Sequence, residues 1–213
     1  MSTVIVDYGA GNLHSARKAF ERMAAEAGRA GSVRVSARPE DVARADRLVL
    51  PGDGAFPACR DALLSVPGLL PAIVEAVTRR AVPFMGICIG MQLLASRGLE
   101  HRETAGLGWI PGEVVRIAPS DPRLKVPHMG WNDLVIDRPH PVLAGIATGA
   151  HAYFVHSFHF RLADPAHRLA HVDYGGEITA IVGRDNLVGV QFHPEKSQAT
   201  GLRIIAGFLA WRP

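Results

Sequence analysis

Only two cysteines, Cys59 and Cys88, occur in 213 residues, too few to build a disulfide framework for a chain of this length. Stability therefore has to come from an apolar core. The N-terminus has no charged segment followed by an apolar signal core, which makes the cytoplasm the expected compartment. The longest apolar stretches, such as Ala81 to Met85 and Ile204 to Leu209, fall far short of the roughly 20 residues that span a bilayer. A run of like charge is also missing. The formal net charge is only +3, with arginines scattered among acidic residues, which argues against a nucleic-acid surface. No linker, internal repeat or low-complexity tract interrupts the chain. What remains is an ordinary globular composition, 48% hydrophobic and 20% charged, in a chain long enough to bury one large core. A single domain over residues 1–213 is expected.

The first half alternates strand and helix patterns. Thr3 to Val6 is β-branched and apolar, Asp7 to Asn12 breaks the run, and Leu13 to Ala27 carries helix formers. Val33 to Val35, a helical turn over Pro39 to Ala43, the strand Arg47 to Leu50, the helix Leu69 to Arg80 and the strand Ala81 to Met85 repeat the unit, and such alternation implies a parallel sheet. From Gly106 the pattern changes. Gly112 to Ile117, Asp133 to Ile136, His151 to Phe160 and Leu169 to Tyr174 read as successive strands without long helices between them, as in antiparallel structure. Thr179 to Val182 and Leu187 to Phe192 read as a hairpin around Gly183 to Asn186, and Ala199 to Trp211 closes as a helix. The expected class is α/β, a mostly parallel central sheet flanked by helices with an antiparallel extension in the C-terminal half.

The most informative segment is Gly86-Ile87-Cys88-Ile89-Gly90, where a buried strand runs into a helical pattern. This is the nucleophile-elbow arrangement with sulfur in place of oxygen. A strand turning sharply into a helix strains the central residue, and side chains two positions away on either side collide, so glycine is required at 86 and 90. The start of a helix also favours a thiolate over a thiol. Cys59, between Ala58 and Arg60, has no such setting and reads as structural.

A thiolate nucleophile needs a histidine to return protons, and that histidine needs an acceptor to fix its ring. Of ten histidines, His193 stands out because it leaves a buried strand within His193-Pro194-Glu195, with Glu195 placed to reach the far ring nitrogen. Oxyanion donors are expected from backbone amides, one at Ile89 and another in the loop Pro51-Gly52-Asp53-Gly54, through Gly52 and Asp53.

These pieces together resemble the class I glutamine amidotransferases, in which a cysteine elbow and a His-x-Glu pair recur in this order. Finer blocks, Asp7 to Leu13, Pro51 to Phe56, His128-Met129-Gly130-Trp131-Asn132, Tyr153 to Ser157 and His193 to Ser197, resemble the glutaminase subunits of imidazole glycerol phosphate synthases, and the likeness covers essentially the whole chain. The resemblance implies that Cys88 attacks the side-chain amide of glutamine and that ammonia passes to a separate cyclase subunit in a heterodimer. There it would yield imidazole glycerol phosphate and an aminoimidazole carboxamide ribotide. It further implies that Gln92, Ser157 and Phe158 bind glutamine and that Asn12, Trp131, Tyr153 and Lys196 face the cyclase. Taken alone, Trp131 and Tyr153 would equally fit core packing, and Asn12 and Lys196 solvated surface. Asp53 departs from the small apolar residue the resemblance leads one to expect in the oxyanion loop. No cofactor or metal is implied.

Three other readings are weaker. The chain is also compatible with a glutaminase serving another synthase, such as that for pyridoxal phosphate, or with a peptidase of the same fold. A nucleotide-binding module around Gly9-Ala10-Gly11 lacks the third glycine of the dinucleotide pattern and an acidic ribose ligand. A metal site from His151, His156, His159, His167 and His171 follows no ligand spacing, and strand alternation splits the set between faces.

Overall fold

The computed structural model describes residues 1–213. In the first half, β1 (Thr3–Val6), α1 (Leu13–Glu26), β2 (Val33–Ser36), α2 (Pro39–Ala43), β3 (Arg47–Gly52), α3 (Phe56–Ser65), α4 (Leu69–Val74), β4 (Phe84–Cys88) and α5 (Ile89–Gln92) alternate. The second half is strand-rich: β5 (Arg97–Gly98), β6 (Thr104–Ala105), β7 (Gly112–Arg116), β8 (His128–Ile136), β9 (Ala150–His156), β10 (Phe158–Leu162), β11 (Arg168–Asp173), β12 (Glu177–Arg184) and β13 (Leu187–Val190), closed by α6 (Gln198–Ala210).

Nine strands form one mixed sheet in the order β2-β1-β3-β4-β13-β12-β11-β8-β9. The pairings from β2 through β13 are parallel and those from β13 to β9 antiparallel. All residues of β1, β3, β4 and β13 are buried, which is why these strands read as continuous apolar runs rather than alternating ones. A second sheet, β10-β7-β5-β6, was not foreseen. One core of 56 buried residues runs through the molecule. On it α1 and α6 meet through Phe20 and Phe208, edge to face at 6.3 Å. Buried Arg47 donates to the Phe208 and Trp211 carbonyls at 3.2 and 2.7 Å, capping the end of α6 with positive charge. No single helix is long and apolar enough to cross a membrane.

Four local readings are corrected. β4 begins at Phe84 rather than Ala81, because Ala81 takes a φ of 51° after the helix and Pro83 has no N–H to give the ladder. Helix α4 widens into a π turn over Glu75–Arg79. Helix α3 went unread because its start is held from far away, the Glu100 carboxylate accepting the Phe56 N–H at 2.7 Å. The run from 151 to 160 is two strands in two sheets, divided at Ser157. Alternation of side chains continues across such a break and cannot reveal it.

The topology aligns three chain ends. Gly52 of β3 sits opposite Cys88 of β4, and Val190 of β13 sits opposite Ile87, which brings Gln191 level with Cys88. Parallel neighbours therefore deliver the loop after β3, the cysteine and the segment after β13 to one edge, where ligands bind in open α/β sheets.

Candidate active site

Cys88 stands at the tip of β4 with φ 55° and ψ −113°, a backbone state that costs a non-glycine residue about 1–3 kcal/mol. The surrounding packing imposes it. A Cβ on Gly90 would lie 1.7 Å from the Leu50 carbonyl oxygen, and one on Gly86 would lie 2.4 Å from the Gly90 oxygen. Bare glycine lets α5 press onto β3 and β4 and swing Cys88 outward. The helix itself is a single turn, shorter than the sequence pattern indicated. The carbonyls of Leu93, Leu94 and Ala95 are taken by the amides of Leu107, Trp109, Ile110 and Gly108, so a longer helical ladder cannot form. A one-turn helix brings little dipole to the sulfur, and its immediate partners matter more.

The first partner is His193, 5% exposed. Its Nδ1 lies 2.9 Å from Glu195 Oε1, and since an ionised carboxylate only accepts, Nδ1 carries a proton and Nε2 is left for another partner. The turn is anchored by buried Ser197, whose hydroxyl donates to the His193 carbonyl at 2.7 Å and accepts from the Tyr153 amide at 3.0 Å. His193 N donates in turn to the Tyr153 carbonyl. Burial works against a charged ring, but hydrogen bonds to Cys88 and Glu195, with the charges of both, outweigh it and push His193 up to about 10.

A folded value raised above the unfolded one of about 6.5 means that the stability from the protonated ring is fully present below pH 6.5 and is lost as pH rises through about 10. The Glu195→Gln variant is therefore expected to melt below the parent by a margin that is largest near pH 6 and closes toward pH 10.5. Thermal unfolding across that range checks it, and a margin independent of pH would contradict it.

The loop after β3 is held from below. Tyr8, buried and with its phenol kept well above the usual range by that burial, donates to the Pro51 carbonyl at 2.7 Å. The Cys59 thiol donates to the Asp53 carbonyl at 3.2 Å. Glycine at 52 is a steric requirement, since a Cβ there would lie 2.8 Å from Gly90 N. The exposed Asp53 side chain turns back to the Gly54 amide at 2.9 Å, and the Asp53 amide bonds to no protein acceptor. Ile89 is the first residue of α5, so its amide has no partner within that helix.

A cavity of about 250 Å³ opens over the sulfur, lined by Asp53, Gly54, Ile89, Gln92, Glu100, Pro127, Val155, His156, Ser157 and Phe158 as well as Cys88. Gln92 is fully buried. Its Nε2 donates to the Phe158 carbonyl and to Gln191 Oε1, both at 3.0 Å, while its Oε1 has no partner. Beside it runs a relay of neutral rings. His156 Nδ1 meets the Phe158 carbonyl at 2.8 Å, His128 Nδ1 meets His156 Nε2 at 3.1 Å, and Asn132 Nδ2 meets His128 Nε2 at 3.3 Å. A carbonyl only accepts, so each donor along the relay is determined by the one before it. Burial lowers His156 to about 3 and His128 to about 4, keeping both rings uncharged. The remaining histidines scatter: His151 pairs with Asp133 at 2.5 Å and His171 with Asp137 at 2.8 Å. No group of three or more histidine, cysteine or acidic residues is placed to hold a metal ion.

Trp131 is 49% exposed and Met129 62%, so core packing does not describe Trp131. It sits across from Tyr153 in the β8–β9 register, ring to ring at 5.8 Å. Lys196 is exposed nearby in sequence to the Ser197 anchor. Asn12 is half-buried and caps α1 by accepting from Ser15 N at 3.3 Å. Sequence reading took Cys59 as structural, weighed His156 only as a metal ligand, and gave Tyr8, Glu100, Ser197 and Gln191 no individual role. Each acts through a tertiary contact that no local spacing announces, although Gln191, a buried amide between Val190 and Phe192, was a polar break in an apolar run.

The family profile for Glutamine amidotransferase class-I matches residues 4–210. The chain is 75% identical over 213 residues to the imidazole glycerol phosphate synthase subunit HisH of Cereibacter sphaeroides and 64% identical to that of Ruegeria pomeroyi, each alignment covering 100% of both chains. A crystal structure of a glutamine amidotransferase superposes with a TM-score of 0.72 at 19% identity, covering 97% of this chain and 96% of that one. PurLQS from Thermotoga maritima does so at 0.66 and 17%, covering 98% and 97%. At these identities the superpositions speak to fold alone. With a profile spanning nearly its whole length and relatives matched end to end, the chain belongs to the class-I glutamine amidotransferase family.

Proposed function

We propose that this chain hydrolyses glutamine through Cys88, His193 and Glu195 and delivers the ammonia to the cyclase subunit of an imidazole glycerol phosphate synthase, in histidine biosynthesis. The observation that carries the reading is the strained Cys88 at the tip of β4, which lines a cavity and lies close enough to the buried His193–Glu195 pair to favour the charged His193 ring. It would act in the cytoplasm as a heterodimer, and its two free cysteines suit a reducing compartment.

The cavity suits a small amino acid. The unpartnered Oε1 of Gln92 and the carboxylate of Glu100 meet the substrate ammonium, with Ser157 and Phe158 as the wall beside them. The Cys88 thiolate adds to the side-chain carbonyl carbon, and the carbonyl π electrons move to oxygen, where the amides of Ile89 and the Gly52–Asp53 loop receive the charge. As the tetrahedral centre collapses, the carbon–nitrogen bond breaks and His193 gives its proton to nitrogen, releasing ammonia and leaving a thioester. The neutral ring then takes a proton from water as the oxygen attacks the thioester. Expulsion of the sulfur yields glutamate and restores the thiolate and imidazolium. Glu195 keeps the ring oriented throughout.

The apolar face of Met129, Trp131 and Tyr153, with Asn12 and Lys196, is assigned to the cyclase. It adjoins the cavity wall at Pro127 and Val155, and the backbone of Tyr153 holds both His193 and Ser197, so docking there bears on the catalytic turn. Two assays test the proposal. The isolated chain is expected to release glutamate slowly, and adding cyclase with its ligand to accelerate release at least about tenfold, a coupling of about 1.4 kcal/mol. Equal turnover with and without partner would end the coupling while leaving glutaminase activity standing.

A further inference from the structure

Gln191 lies just past β13, level with Cys88, and is fully buried. We propose that Gln191 is a further catalytic residue, whose side-chain amide donates a hydrogen bond to Cys88 Sγ and holds the sulfur aimed into the cavity. The proposal rests on the reading of Cys88 as the nucleophile and deepens it.

A side-chain amide has one donating and one accepting end, and its neighbours decide the direction. The Phe158 carbonyl accepts only, and the nitrogen of Gln92 lies 3.0 Å from it. That same nitrogen is 3.0 Å from one end of Gln191, which must therefore be the oxygen. The opposite end, Nε2, is 3.7 Å from Cys88 Sγ, within reach of an N–H on a large sulfur atom. His156 reinforces the chain by donating to the same Phe158 carbonyl at 2.8 Å, so the acceptor that starts the sequence is itself held from two sides. The backbone of Gln191 is fixed as well, its N–H donating to the Ala180 carbonyl at 2.8 Å.

The placement answers a need that the short helix creates. One turn of α5 supplies little positive potential to the sulfur, which leaves side-chain donors to stabilise it. A neutral amide does not titrate, so its N–H stays on the sulfur at every stage and favours the thiolate as leaving group when the thioester breaks. A donor to a charged acceptor in a buried site is stronger than its neutral counterpart, and removing it leaves a buried anion less satisfied.

The test replaces the amide by apolar side chains of similar reach, Gln191→Met and Gln191→Leu, in the full chain. The rate at which iodoacetamide labels Cys88 at pH 7 is followed by mass spectrometry of its peptide, with Cys59 as internal reference. Labelling is expected to slow about tenfold in both variants, and kcat for glutamine to fall in parallel. KM should change less, since Gln92 keeps its bond to Phe158. Labelling within twofold of the parent in a folded variant, judged by an unchanged melting profile, would overturn the proposal. If one variant does not fold, the other carries the measurement. Because alkylation needs neither glutamine nor cyclase, it reads the hydrogen bond independently of the glutaminase assignment, whose own failure would appear as glutamate release by Cys88→Ala.

Discussion

Replacing Cys88 with alanine is expected to reduce glutamine hydrolysis by at least about 10⁴-fold, to the background set by binding and oxyanion contacts alone. Without sulfur no thioester forms, and water must attack an unactivated amide whose carbonyl is far less electrophilic. The loss should appear in kcat, because Gln92, Glu100 and the Phe158 strand stay in place around the substrate. His193 provides an internal check. Part of what holds its ring up to about 10 is the hydrogen bond and charge of Cys88, so in the alanine variant the ring should titrate at lower pH, visible by NMR. The fold should tolerate the change, since one small buried side chain is shortened at a site already held by glycine contacts on either side. Glutamate release at the parental rate in Cys88→Ala would dismiss the catalytic account.

The second large effect concerns structure. Gly90→Ala is expected to destabilise the protein by about 3 kcal/mol or more, at the upper end of overpacking costs. The added carbon would fall 1.7 Å from the Leu50 carbonyl oxygen, and Leu50 belongs to a fully buried strand between two parallel neighbours, where no flexible side chain can yield. Relief requires α5 to lift from β3, which would draw Cys88 away from His193 and abolish activity even in molecules that fold. Gly149→Ala makes the useful contrast. Its φ is +91° with nothing within 4 Å of the added carbon, so only backbone strain of about 1 kcal/mol is expected. Urea unfolding of the two variants separates steric collision from conformational strain, and equal losses would refute the assignment of Gly90 to close packing.

The geometry of the candidate site was legible wherever it is written in neighbouring residues. An elbow is mostly a local object: a side chain at 86 would strike Gly90 within the turn that Cys88 makes, although the demand for glycine at 90 comes from Leu50 of β3, so three residues announce strand, bend and candidate nucleophile together. The pair His193 and Glu195 is likewise two residues apart, close enough for Pro194 to stiffen the turn that joins them. The alternation of buried strands and helices before residue 90 exposed the parallel half of the sheet for the same reason, since burial on both faces leaves a continuous apolar run.

Other features depend on contacts between distant segments. The helix after Cys88 stops at one turn because carbonyls at 93 to 95 are claimed by the segment 107–110. Helix α3 starts where Glu100 reaches back 44 residues to the Phe56 amide, and the run after 150 changes sheets at Ser157 with no change in its alternation. The orientation of Gln191 is decided at a greater remove, by a carbonyl at Phe158 acting through Gln92. Spacing along the chain thus pointed to the groups proposed to carry the chemistry and to the tight bend that holds Cys88. Which donors and acceptors meet around that sulfur was decided only when strands far apart in sequence were brought side by side, because a hydrogen bond has a direction and a partner that only three-dimensional packing can choose.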